Sequence, residues 1–393
     1  MRIAIGILLG VILLVGIGYG ALAYMNRPIS KEAVTEKIEE HLAKVVKRNG
    51  SLSSALLTIY SNQTGYFEQF ATGTKNRGSD EPVRIDSPYH AASVGKMMCA
   101  AVYGILADEG KINFDDKISS WLDTDTLKRL FVIDGTDYSE QVTLRHLLTH
   151  TSGAADYFEG PVKSGHPMLE VISSNPDLSF SPQELIAFTR DNQDPVGKPG
   201  QQFYYSDTGY ILLGLILEEI EKKSYADILD ERIFKPLGMN DSYLYQDESS
   251  DIVGIYLNGM DYSDKAALSV DWSGGGVITT MNDLLVFMKA FVNGELLSDE
   301  VYKQMTDFHN RYRKGIYAGM GMMYFDFSKL SFLLGLSAMT DVYGGIGATG
   351  TYVLYDEDKE TFFIANFGSL DFAEKSIEEL VKIRMIYDRM KSE

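Results

Sequence analysis

From residue 93 to about 109 the chain follows a helical pattern with no polar face. Met97, Met98, Cys99, Ala100, Ala101 and Val102 run without interruption, Leu106 continues the pattern, and Gly110 ends it. A surface helix carries one apolar stripe, whereas a helix apolar all round must be covered on every side. This helix is therefore central, and the rest of the chain must be thick enough to enclose it. With 393 residues the chain can do so, either as two domains or as one large unit of two lobes.

The flanking patterns say what encloses it. Ser30 is placed to cap a helix over 31–48, with Val34, Ile38, Leu42 and Val45 on one face and Asn49-Gly50 at its end. Strands are expected over 55–61 and 66–72, joined by the turn Asn62-Gln63-Thr64-Gly65. Residues 73–88 are polar and irregular. Between 111 and 271 the chain reads as helices and long loops, with helices over 183–192 and 208–223. A helix should open at Thr279 or Thr280 and run to about Asn293. Residues 351–355 and 361–367 form a hairpin, followed by an amphipathic helix over 372–390. Strands at both chain ends with helices between them imply a mixed α/β plus all-α fold. An antiparallel sheet is built from both ends and flanked by helices, and a helical lobe of about 97–270 is inserted into it.

Residues 1–25 stand apart from the body, 26–393. Arg2 precedes a run from Ile3 to Met25 without a charge, long enough to cross a bilayer as a helix, which takes about 20 residues. It reads as a transmembrane anchor or as a signal peptide, for which Ala21-Leu22-Ala23 offers a small-x-small cleavage pattern. Either reading puts the body outside the cytoplasm, anchored to the cell membrane or, if residues 1–23 are cleaved, secreted. The positive-inside rule does not decide the matter, because Arg2 lies on one side and Arg27 and Lys31 on the other.

Several function classes drop out. The net charge of -19 is the wrong sign for holding phosphates, so no nucleic-acid partner is expected. The single cysteine, Cys99, excludes an internal disulfide and reads as a small buried apolar residue. His146 and His150 have zinc-ligand spacing but lack a third ligand nearby, so no metal and no cofactor is expected. There is no Gly-x-Ser-x-Gly elbow and no phosphate loop.

What remains is Ser93-Val94-Gly95-Lys96 at the head of the central helix. Residues three apart share a helix face, so the Lys96 amine can reach the Ser93 hydroxyl. A free lysine, with a pKa of about 10.4, is charged at neutral pH. Apolar surroundings lower that value, and a helix start favours an alkoxide. Further along come Leu144-Arg145-His146-Leu147-Leu148-Thr149-His150-Thr151-Ser152-Gly153, then Pro199-Gly200 leading to Tyr205-Ser206-Asp207, then Pro236-Leu237-Gly238-Met239, Gly274-Gly275-Gly276 and Gly344-Gly345-Ile346-Gly347-Ala348-Thr349-Gly350.

This ordered set resembles the serine β-lactamase and penicillin-binding protein superfamily. Within it, the set is similar to the branch of class C β-lactamases, D-alanyl-D-alanine carboxypeptidases and related esterases. The resemblance covers roughly residues 30–390. It implies Ser93 as nucleophile, with Lys96 and Tyr205 moving protons, and the backbone N–H groups of Ser93 and Ala348 as an oxyanion hole. Asp207, Gly345 and Gly347 take substrate-binding positions. Two of these depart from the family pattern. Asp207 replaces an asparagine, and a carboxylate beside Lys96 favours the charged lysine, which shifts the base role toward Tyr205. Gly345 stands where relatives carry Lys or His, so a fixed cation for a substrate carboxylate is missing there.

The implied function is a serine hydrolase that forms an acyl-enzyme on a small-molecule or peptide ester or amide. Two alternatives stand beside it: a β-lactamase or D-alanyl-D-alanine carboxypeptidase, and a catalytically inactive relative that serves as a cell-surface binding module. The sequence leaves the oligomeric state unknown.

Overall fold

A computed structural model describes residues 27–246, 251–327 and 339–391. The uncharged run at residues 3–25 lies outside these residues. Among the described residues no helix is long and apolar enough to cross a membrane.

The largest element is an antiparallel sheet of eight strands. Numbered among themselves, its strands are β1 (Ser54–Ser61), β2 (Phe67–Gly73), β3 (Asn310–Arg313), β4 (Ile316–Ala318), β5 (Met323–Phe325), β6 (Val342–Gly347), β7 (Thr351–Asp356) and β8 (Thr361–Asn366). Their spatial order is β3-β4-β5-β6-β7-β8-β1-β2. The expected sheet from both chain ends is present, closed where β1 pairs with β8 and Leu57 lies opposite Ala365. The short strands β3 to β5 are a correction, since the sequence reading assigned none there. They are three or four residues long, too short for alternation to stand out.

Side chains alternate across a strand, and here both faces are covered. On β1, Ala55, Leu57 and Ile59 enter one core while Leu56 joins the other. On β8, Phe363 and Ala365 face the first core, and Phe362 and Ile364 the second. The first core is roofed by α1 (Lys31–Arg48) and α6 (Ala373–Tyr387). Ser30 accepts a hydrogen bond from the Ala33 amide at 3.3 Å, and Val34, Ile38, Leu42 and Val45 form the buried stripe. The second core surrounds α2 (Gly95–Asp108), where every residue from Gly95 to Gly104 is buried. Burying one such Leu or Met side chain contributes about 1.5–3 kcal/mol.

The remaining long helices are α3 (Pro182–Asn192), α4 (Asp207–Glu221) and α5 (Met281–Val292). Thr280 caps α5, and Ser181 and Glu184 form a reciprocal cap on α3. The architecture sets the end of β6, the head of α2 and the head of α4 around one groove.

Candidate active site

The nucleophile candidate does not begin an α-helix, as the sequence suggested. Ser93 sits in a 3-10 turn, Ala92–Val94, and the α-helix starts at Gly95. The chain reaches this turn from the short strand Tyr89–His90, which pairs with Val277–Thr279. It turns through Ala92 at φ 48, a left-handed conformation that costs a non-glycine residue about 1–3 kcal/mol. The turn is pressed from behind: a Cβ added to Gly275 would lie 2.8 Å from the Ala92 carbonyl carbon. Only a residue without a side chain fits there.

Lys96 lies one turn on and is 2 % exposed. Its Nζ donates to Ser93 Oγ at 3.1 Å and to the Gly274 carbonyl at 2.5 Å, and it forms an ion pair with Asp207 Oδ1. Three acceptors around one amine are what an ammonium with three N–H bonds requires. Burial pulls the Lys96 pKa down, but the Asp207 carboxylate, followed by Tyr205, outweighs it and the net shift is upward. Lys96 is therefore charged in the resting site.

Tyr205 precedes α4, whose N-cap is Ser206. The Ser206 hydroxyl accepts from the Gly209 amide at 3.3 Å and donates to the Ala155 carbonyl at 2.7 Å, which fixes the backbone on either side of the tyrosine. Tyr205 donates its hydroxyl to Ser93 Oγ at 2.9 Å. Its pKa is raised, chiefly by burial, although the Lys96 charge pulls the other way. The His150 ring stacks on Tyr205 with centroids 4.4 Å apart. His150 Nδ1 accepts from the Ser206 amide at 3.1 Å, and burial holds its pKa down to about 3. His146 accepts from the Thr143 amide at 3.2 Å in a helix cap. Both histidines are thus engaged within the fold.

Behind Asp207 lies Asp156, which the sequence reading missed. Its carboxylate accepts from the backbone amides of Asp207 at 3.0 Å and Glu159 at 3.0 Å, which ties the loop to α4. Burial, and then the charge of Asp207, pushes its pKa up to about 7. No spacing rule could have found it, because the loop that brings it there carries no regular pattern.

The third wall is the end of β6. A Cβ on Gly347 would lie 2.5 Å from the Ala91 carbonyl oxygen and 3.3 Å from Ser93 N, so β6 approaches the nucleophile turn backbone to backbone. A Cβ on Gly345 would meet Met97 Sδ at 2.9 Å and Val94 Cα at 3.3 Å. Ala348, one residue beyond the strand, lines the same groove as Ser93. The groove has a volume of about 820 Å³ and an apolar extension past Phe158, Ile172 and Leu268. All six predicted positions outside Ser93 (Lys96, Tyr205, Asp207, Gly345, Gly347 and Ala348) line it with the serine. The sequence reading did not pick out His90, Asp271 or Arg313 as site residues, and they line the groove as well.

Comparison with known proteins adds the following. The Beta-lactamase family model matches residues 36–378. A penicillin-binding protein of Bacillus subtilis (strain 168) is 30% identical over 187 residues, covering 48% of this chain and 35% of that protein. The matched region thus spans well under half the length of that relative. Among solved structures, a D-amino acid amidase from Ochrobactrum anthropi in complex with D-phenylalanine superposes with a TM-score of 0.72 at 21% identity, over 90% of this chain and 99% of that one. EstCE1, described as a hydrolase with promiscuous acyltransferase activity, gives 0.73 at 16% identity, over 91% and 99%. At these identities the two structures speak for the fold.

Proposed function

The chain belongs to the beta-lactamase family, and from that premise we propose that it is a serine hydrolase working through an acyl-enzyme on Ser93. One observation carries the reading. Ser93 Oγ lies within hydrogen-bond reach of both Tyr205 at 2.9 Å and Lys96 at 3.1 Å, at the floor of an open groove.

In this mechanism Tyr205 acts from its phenolate form and takes the Ser93 proton as Oγ attacks the substrate carbonyl. Lys96 stays an ammonium and stabilises the negative charge on the Oγ–Tyr205 pair. The backbone N–H groups of Ser93 and Ala348 hold the oxyanion, a role that needs no side chain. Tyr205 then gives its proton to the leaving group. Water reverses the sequence and releases the acid.

The substrate is an ester or amide of a small molecule or peptide. The missing side chain at Gly345 removes the cation that would meet a substrate carboxylate, which disfavours penicillins and D-alanyl-D-alanine peptides. One observation favours those substrates as a second reading: Arg313 lines the groove. It is, however, drawn to the Tyr312 hydroxyl at 2.8 Å and lies 4.0 Å from Glu374.

The test is covalent labelling with a fluorophosphonate and with a fluorescent penicillin. The expected result is fluorophosphonate labelling of the wild type, none of Ser93→Ala, and weak labelling by the penicillin. No labelling of the wild type, or equal labelling of Ser93→Ala, would overturn this reading and leave the non-catalytic binding module as the alternative.

We also propose an extracytoplasmic location, on the strength of the uncharged run at 3–25. Intact cells treated with an external protease should lose the full-length chain if it is anchored, and the medium should contain it if the run is cleaved. A protected chain found only inside the cell would count against both forms.

A further inference from the structure

The groove holds a carboxylate with no cation of its own. Asp207 is neutralised by Lys96, and Asp156 is occupied by backbone amides. Asp271 is different. Its side chain is 24 % exposed toward the groove. Among the described residues its nearest polar partner is His90, with Nε2 3.5 Å from Asp271 Oδ2, longer than a good hydrogen bond.

His90 cannot supply the missing charge. It is 1 % exposed, and its Nδ1 accepts from the Ala92 amide at 3.1 Å, so Nε2 carries the proton of the neutral ring. Burial lowers its pKa to about 4, which keeps it neutral in ordinary conditions. Nε2 is a buried donor without a hydrogen-bond partner among the described residues. It lies 3.5 Å from the carboxylate and brings no positive charge to it.

The other charged groups around the groove do not balance Asp271. Lys96 is committed to Asp207, and Arg313 is exposed and engaged with Tyr312 and Glu374. Glu159, a further acidic residue, also lines the groove. Where the family pattern puts a cation there is Gly345, and burial, then the charge of Asp207, pushes the Asp271 pKa up to about 7, as expected of a carboxylate without a paired cation.

We propose that Asp271, beside His90, anchors a protonated amine on the acyl donor, so that the preferred substrates are amine-bearing esters or amides of the amino-acid type. The inference rests on the serine acyl-transfer reading above. Asp271 is a specificity-determining residue in it and takes no part in the bond changes. A charge-assisted hydrogen bond from an ammonium is roughly twice as strong as a neutral one, and it forms here where water is partly excluded.

The test compares alanine benzyl ester, of either hand, with benzyl propionate, which differs only in lacking the ammonium, and with benzyl hydrogen succinate, which carries a carboxylate. Released benzyl alcohol is measured at pH 7. For the wild type, kcat/KM should be at least tenfold higher for an alanine ester than for the propionate, and lowest for the succinate. In Asp271→Asn the alanine-to-propionate ratio should fall toward one, mainly through KM, and the succinate should gain relative to both. Asp271→Glu should keep part of the preference. A wild-type ratio near one, or a ratio that Asp271→Asn leaves in place, overturns the inference while Ser93-dependent hydrolysis still stands. Absence of any Ser93-dependent hydrolysis would instead overturn the reading beneath it.

Discussion

Tyr205→Phe is expected to lower kcat/KM by about a thousandfold, within the range of about 10²–10⁴ that a positioned acid–base group contributes. The ring remains, so its stacking on His150 at 4.4 Å and the local packing survive. Only the hydroxyl that reaches Ser93 Oγ is lost. Lys96 cannot substitute for it, because its amine is already an ammonium held by Asp207 and the Gly274 carbonyl. A variant that retained more than a tenth of the wild-type rate would show that Lys96 gives up its proton after all.

The pH dependence follows from the same geometry. Burial raises the Tyr205 pKa above its ordinary value, so the phenolate is the minor form at neutral pH. A base acts in its deprotonated form, and below its pKa each unit of falling pH removes tenfold of that form. The rate should therefore climb with pH and show no plateau below about pH 9. Asp207 raises the pKa of both Lys96 and Tyr205. Asp207→Asn removes that charge, so both values fall and the rising limb should move to lower pH by about one unit. A limb that stays in place would separate Asp207 from proton transfer.

The second large effect is on stability. Arg384, fully buried on α6, donates through Nη2 to Asp356 Oδ2 at 2.5 Å, and Asp356 is fully buried too. Thr340 joins them, and the guanidinium lies 5.4 Å from the Phe327 ring centre. Burial pulls the Arg384 pKa down and pushes the Asp356 pKa up, so each holds its charge against desolvation by having the other. Arg384→Ala strands the Asp356 carboxylate and should cost about 3–5 kcal/mol in urea unfolding. Replacing both partners by apolar residues of similar volume, as in Arg384→Met with Asp356→Leu, should restore most of that loss, since the desolvation penalty goes with the charges. A loss under about 1 kcal/mol in the single variant would mean that water or another group reaches Asp356.

Local patterns in the sequence were enough for the parts of this protein that depend on neighbours in the chain. The caps at Ser30 and Thr280 lie where their hydroxyls meet amides three residues on. The apolar helix had to be central because it has no side to show water. Ser93 and Lys96 fall together because three residues make nearly one turn. Tyr205 and Ala348 could be named only through an ordered set of motifs, since no local rule links residues more than a hundred positions apart.

The charge state of the site depended on the tertiary structure. Asp207 was visible as a departure from the family pattern, but its pairing with Lys96 needs α2 and α4 side by side. Asp156, Asp271 and His90 gave no signal, because burial and the company of other charges are properties of a folded site. Each would be an ordinary solvated side chain if its segment were read alone. The sequence by itself determined a central apolar helix with a serine and a lysine at its head, framed by a sheet from both chain ends. Tertiary structure alone decided that the lysine is an ammonium paired with Asp207 and that another aspartate is left without a cation, because that balance is set by which distant groups share one low-dielectric groove.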